Sequence, residues 1–204
     1  MNILAVGAHP DDVELGCFGT LADHYKKGDK VFVVVLTNGE LEGEPGIRQE
    51  ETKKSCKLMD AQLFYGNFAD GNVEDNSKLV SFLDEVVEKN NISVMYTHSQ
   101  HDRHQDHRNA ANACISAGRN IKELYSYESP SVMYPYNPHL FVDVTDTFAT
   151  KVEAIRIHIT QKKKNYMRAE AVEGLARFRS LQCGLHNKLC EAFEVIKIVK
   201  DSVN

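Results

Sequence analysis

The chain has 204 residues, 42% hydrophobic and 26% charged, which are the proportions of a globular fold with enough length for one sizeable core. A formal net charge of -5 argues against a phosphate-backbone binder, and the longest apolar runs fall far short of the ~20 residues of a membrane span. The five cysteines include no Cys-x-x-Cys pair, which speaks against a thiolate zinc knuckle; with no basic region at the N-terminus, the expectation is reduced thiols in a cytoplasmic protein.

Ile3-Leu4-Ala5-Val6 reads as a first strand that runs straight into Ala8-His9-Pro10-Asp11-Asp12. The stretch Gly16-Cys17-Phe18-Gly19 starts a helix that should reach Lys27, with Gly28 as its C-cap. Residues 31–36 are an uninterrupted apolar, β-branched run, typical of a parallel strand covered on both faces. Residues 37–46 form a glycine-rich loop, at the same sheet edge as the His9 turn if the strands are parallel. A helix over 47–59 and a short strand near 62–65 follow, and Phe68-Ala69-Asp70-Gly71 turns the chain. Leu79, Phe82, Leu83, Val86 and Val87 recur at helical spacing and predict an amphipathic helix ending at Asn90-Asn91. The strand over 92–96 leads into a second loaded loop, from His98 to His107. A helix from about Asp106 then carries Ala110, Ala113, Cys114 and Ala117 inward. Strands at 123–127 and 141–144, a long helix marked by Phe148, Val152, Ile155 and Ile159, a helical region over 169–185 and a closing strand at 195–199 complete the pattern. Without repeats or linker-like stretches, this predicts a single α/β domain over residues 1–204. Its sheet should be mostly parallel, twisted and Rossmann-like, with helices on both faces.

Two strand ends loaded with His and Asp suggest chemistry, because ligands bind at the carboxyl ends of strands in open α/β sheets. Catalytic zinc usually takes three protein ligands and keeps one position open. His9 and Asp12 can supply two from one turn, and a histidine from the downstream cluster the third. Asp11 is then left beside the metal, where it can take a proton from a water that the metal has acidified. His104 and His107 are one helical turn apart, so one can ligate while the other faces the reacting carbonyl. Asp106, between them, could hold an imidazole in its tautomer.

Ala8-His9-Pro10-Asp11-Asp12 with Gly16 and Gly19, together with Asp102-Arg103-His104-Gln105-Asp106-His107-Arg108, resembles the two motifs of the PIG-L (LmbE-like) family of zinc-dependent N-deacetylases. The resemblance extends to Arg48 with Glu50-Glu51, Asp70-Gly71, Val142-Asp143-Val144-Thr145 and Lys151…His158…Gln161. It implies His9, Asp12 and His107 as zinc ligands, with Fe²⁺ or Co²⁺ also accepted by such a set. It further implies Asp11 as general base and His104 as donor to the oxyanion or the leaving amine, oriented by Asp106. Arg48 is expected near the substrate sugar or its phosphate-like substituent. The implied reaction is hydrolysis of an acetamido group on an N-acetylglucosamine-type sugar or conjugate. Phe18 stands where relatives often have glycine, and Gln105 where they often have proline. Phe18 should fill the core or narrow the pocket.

Plainer roles compete at several positions. Asp12 alone would read as a helix N-cap, and Arg48 as an ion-pair partner of Glu50 or Glu51. His98 and His101 are expected in the loop or behind the ligands, His139 in a pocket wall or subunit contact, and His158 on a helix face. Tyr134 and Tyr136 are candidates for stacking on a sugar, Lys162-Lys163-Lys164 for a solvated helix end, and Cys17 and Cys114 for small core residues. Two other functions stay in view: a zinc amidase acting on a non-sugar N-acyl substrate, and a catalytically silent metal-binding scaffold subunit. The expected partner is a small N-acetylated sugar, with no nucleic acid. A homo-oligomer contact through segment 134–139 is left open.

Overall fold

The computed structural model describes residues 1–200. Its frame is one seven-stranded sheet: β1 (Asn2–Gly7), β2 (Lys30–Thr37), β3 (Gln62–Phe68), β4 (Val94–Thr97), β5 (Glu123–Tyr127), β6 (Leu140–Asp143) and β7 (Cys190–Ile198). The order is β3-β2-β1-β4-β5-β7-β6. The first five strands pair in parallel, as expected, and β7 runs antiparallel to both of its neighbours. The strand order reverses between β1 and β4, so the two loaded loops open side by side at that point.

Alternation along the strands divides the core into two layers. Leu4, Val6, Phe32, Val34, Leu36, Met95 and Leu124 pack on one face against α4 (Ser77–Lys89) and α5 (Gln105–Ala117). Ile3, Ala5, Val31, Val33, Val35, Val94 and Tyr96 pack on the other. That second face is covered by α1 (Asp12–Gly16), α2 (Phe18–Lys26), α3 (Pro45–Lys57) and α6 (Phe148–Ile157), which supply residues such as Val13, Phe18, Leu21, Cys56 and Ala154. Phe18 belongs to this core, 1% exposed. Cys17 and Cys114 are buried, and all five thiols are free, Cys183 and Cys190 with their sulfurs 4.0 Å apart. A last helix, α7 (Ala169–Gln182), packs beside β7.

The expected single helix after the His9 turn is in fact two, broken at Cys17, whose φ of -145° leaves the helical region. The residue before the break is tightly packed. A Cβ on Gly16 would lie 2.3 Å from the ring of Tyr127, and that ring is tied down by its hydroxyl, which donates to Val6 O at 2.8 Å. Beyond the break, the carboxylate of Glu191 on β7 accepts the N–H groups of Gly19 and Thr20 and the Thr20 hydroxyl, capping α2 from across the fold. The closing strand starts at Cys190, five residues earlier than its apolar run suggests, because residues 190–193 pair with β6. No helix among the described residues is long and apolar enough to cross a membrane.

Candidate functional site

The turn after β1 delivers His9, Asp11 and Asp12, and the loop after β4 delivers His104 as the N-cap of α5 with His107 in its first turn. His9 Nδ1 lies 3.2 Å from His107 Nε2 and 3.4 Å from Asp12 Oδ2, and His107 Nε2 lies 3.4 Å from Asp12 Oδ1. A tetrahedral ion with ~2.1 Å bonds to N and O ligands has ligand atoms about 3.4 Å apart. The donor set His9, Asp12 and His107 thus fits one divalent cation. Three overlapping sets, His9-His104-His107, Asp12-His98-His107 and His9-Asp70-Asp106, also lie within ligand range. In these sets His98 Nε2 already accepts from Ala8 N–H, and His104 Nδ1 accepts from Asp106 N–H, which leaves His104 only Nε2.

Carboxylates stand behind both of these histidines. His9 Nε2 lies 3.1 Å from Asp70 Oδ1 and 3.2 Å from Asp106 Oδ2, while His107 Nδ1 lies 3.0 Å from Asp102 Oδ2. Such pairs fix the tautomer and aim the opposite nitrogen at the metal. Asp106 is itself fixed, accepting N–H bonds from Gly71 at 2.8 Å and Val73 at 3.0 Å. This corrects the expectation that Asp106 orients His104, because its carboxylate is turned to His9. The His104 ring is set by the backbone instead, and a Nδ1 that accepts leaves the proton on Nε2.

Burial pushes the Asp12 carboxyl up, but the charges of His107 and His98 and a hydrogen bond from His9 hold it well below the usual carboxylate range. Burial also opposes charge on His107, yet Asp12 and Asp102 raise it above an ordinary imidazole. His104 goes the other way, lowered by burial and by His107 and His9. His98, fully buried and stacked on His107 with ring centroids 3.9 Å apart, is pushed down to about 4 by burial and by His107. It sits behind the ligands, with Nε2 3.1 Å from Asp12 Oδ2, one of the two places expected for it.

Asp12 does not cap α1; its Oδ2 accepts the His9 N–H at 2.7 Å, which tightens the turn on itself. Asp11 takes the N-cap position with φ at 107°, a left-handed conformation uncommon for a side-chain-bearing residue. Burial and the charge of Asp12 raise its carboxyl, and Arg48 and His158 pull it back. Arg48 NH2 lies 3.5 Å from Asp11 Oδ2, and the guanidinium also donates to Pro10 O and Gly39 O. A Cβ at Gly39 would fall 2.2 Å from Arg48 NH1, so only glycine leaves room for this approach. Neither Glu50 nor Glu51 pairs with Arg48; Glu50 binds Lys53, and Glu51 accepts from Thr160.

His9, Asp11, His104 and His107 open into a cleft of about 430 Å³, whose outer wall includes Lys164 and Tyr166. Lys164 is therefore a wall residue paired with Glu42 at 3.3 Å, while Lys162 and Lys163 are exposed as expected. The expected tyrosines lie elsewhere: Tyr134 is 96% exposed, and the Tyr136 hydroxyl donates to Ala192 O. His139 is exposed, and His101 joins the cluster only through its backbone and is exposed too. His158 finishes α6 as its C-cap and is buried, with Nε2 3.0 Å from Glu14 Oε1. Sequence reasoning missed the roles of Asp102 and Asp70. For Asp102 the signal was its place five residues before His107, within the histidine-rich loop.

A family model described as "PIG-L: GlcNAc-PI de-N-acetylase" matches residues 4–118. The chain is 35% identical to the uncharacterized deacetylase YaiS of Escherichia coli K12, over 77% of this chain and 90% of that protein. It is 24% identical to the diacetylchitobiose deacetylase of Thermococcus kodakarensis, over 78% of this chain and 70% of that protein. Among solved structures, GalB, the 4-carboxy-2-hydroxymuconate hydratase of Pseudomonas putida KT2440, superposes with a TM-score of 0.85 at 20% identity, covering 100% of this chain and 99% of that one. That fold therefore also carries a hydratase, and the reaction has to be argued from the site.

Proposed function

The chain belongs to the PIG-L family, and from that premise we propose that it hydrolyses the acetamido group of an N-acetylglucosamine-type sugar or sugar conjugate, with zinc held by His9, Asp12 and His107. The products are acetate and a free amine. The observation that carries the reading is that His9 Nδ1 and His107 Nε2 lie 3.2 Å apart and each lies 3.4 Å from one oxygen of the Asp12 carboxylate, with the Asp11 carboxyl left over in the same cleft. When bound, zinc supplies a Lewis acid that polarises the amide carbonyl and lowers the pKa of a water.

Asp11 takes the proton from the attacking water. Burial and Asp12 raise its carboxyl to about 7, which suits a base near neutral pH, and Arg48 at 3.5 Å limits the rise. The proton that Asp11 took from the water passes to the departing nitrogen, which leaves as an amine, while His104 presents Nε2–H to the cleft as a hydrogen-bond donor to the developing oxyanion. Its lowered pKa makes a neutral imidazole the donor. Asp102, Asp70 and Asp106 hold the ligand rings in place. In this scheme Arg48 acts on Asp11, and contact with the sugar falls to the cleft wall, including Tyr166 and Lys164.

The test is release of acetate from N-acetylglucosamine derivatives by zinc-loaded protein, repeated with Asp11→Ala. Wild type should turn over, and the variant should bind zinc while losing nearly all activity. Full activity in the variant would remove Asp11 from its role as base. A wild type that cleaves only non-sugar N-acyl compounds would make the protein an amidase of another class. Zinc binding without hydrolysis of any such compound would favour a scaffold role.

A further inference from the structure

A second, smaller pocket of about 160 Å³ adjoins the catalytic cleft. Leu15, Pro130 and Tyr166 line both, so the two share a wall. Behind that wall the pocket is lined by Val172, Leu175 and Ala176 of α7. Its charged neighbours are already matched. Lys151 donates to Glu191 and to Leu15 O, Glu191 also accepts from Gly19 and Thr20, and Arg179 forms a two-pronged bond with Glu128. An anionic or cationic ligand would have to break one of these buried pairs, so the pocket suits a neutral apolar group. Its volume compares with the roughly 150 Å³ cavity that holds a benzene molecule in another protein.

We infer that this pocket is an apolar subsite for a short alkyl or aryl substituent carried by the sugar that sits in the cleft. The inference rests on the deacetylase reading only for the identity of the sugar. Continuity through Leu15, Pro130 and Tyr166 lets one molecule reach both, with the acetamido group at the metal ligands and the substituent against α7. The substrate class is then an N-acetylated amino sugar bearing a hydrophobic group of about phenyl or hexyl size, not a purely polar disaccharide.

The experiment compares methyl and hexyl glycosides of N-acetylglucosamine by equilibrium calorimetry on zinc-loaded protein, with acetate release measured in parallel. Each methylene taken out of water multiplies affinity by about threefold to fourfold, so three buried methylenes are enough for roughly a thirty-fold gap. Wild type should bind the hexyl glycoside at least about tenfold more tightly than the methyl one. Ala171→Trp plugs the pocket from its exposed rim and should bring the gap within about twofold, leaving the methyl glycoside unaffected. Leu175→Ser, at a second exposed lining position, should narrow the gap as well. No hexyl-over-methyl gap in wild type, including no binding of either, overturns the subsite, as does a gap that survives both variants. A gap without acetate release keeps the subsite and removes the deacetylase reading. Equal binding with acetate release does the reverse.

Discussion

Replacing Arg48 by methionine should move the acid limb of kcat/KM to higher pH. The guanidinium and the Asp11 carboxylate are both buried, with NH2 3.5 Å from Oδ2. At that separation, and with an effective dielectric constant of about 20, one unit of opposite charge is worth about 5 kcal/mol, or at most roughly three to four pKa units. Part of that is lost, since Arg48 also serves two carbonyls and a bound cation already favours the ionised carboxyl. Aspartates beside arginines are typically lowered by about 1 to 3 units. The working expectation is an upward shift of about 1 to 2 units. The sign follows from the role: Asp11 must be ionised to accept the proton, Arg48 lowers its pKa, and without Arg48 the ionised form is lost sooner as pH falls. The assay is kcat/KM against pH for wild type, Arg48→Met and Arg48→Lys, with stability followed alongside. At high pH the methionine variant should recover most of its rate, and lysine should lie between the two. An acid limb that stays in place, with the whole loss in KM, would refute this account and return Arg48 to the substrate, where its motif position alone would put it.

Two further outcomes probe the supports of the site. Asp102→Asn replaces the carboxylate behind His107 Nδ1 and should weaken zinc binding by about 10-fold to 100-fold in a chelator competition; unchanged affinity would show that Asp102 does not orient the ligand. Gly16→Ala places a methyl group 2.3 Å from the tethered Tyr127 ring and should cost about 1 to 3 kcal/mol of unfolding free energy in denaturant titration; a loss within error would mean that the turn relaxes freely.

How much of this could be read from the amino acids differs between levels of structure. The β1 and β2 runs and the α4 pattern were plain because each buries a continuous or periodic apolar surface, and packing follows such surfaces directly. The break at Cys17 was hidden, and the residues packed on either side of it, Tyr127 and Glu191, lie more than a hundred residues downstream. In the site, His9 and Asp12 were legible as candidates from the turn after β1, while the residues alone left the third histidine open and only the family resemblance pointed to His107; the structure brings atoms of all three close together. Their supports were not legible. Asp102 and Asp106 are near several histidines in sequence and Asp70 is near none, and only the fold decides which ring each one faces. Arg48 illustrates the same point, since its partner Asp11 is 37 residues away, not one turn along its own helix.

The charge balance of the cluster connects these particulars. Asp11, Asp12, Asp70, Asp102 and Asp106 gather around the rings of His9 and His107, whose facing nitrogens lie 3.2 Å apart, with the Arg48 guanidinium 3.5 Å from Asp11. Both rings are raised, His9 and His107 alike, because burial is outweighed by carboxylates on either side. Yet two protons cannot both occupy the space between Nδ1 of His9 and Nε2 of His107 without clashing. One divalent cation at that point satisfies both nitrogens and Asp12, and it offsets the surplus negative charge more fully than a single shared proton would. On this argument Asp70, Asp102 and Asp106 contribute to metal affinity as a charge reservoir as well as by aiming rings. Changing any one of them to its neutral amide should then weaken the cation, although none of them touches it.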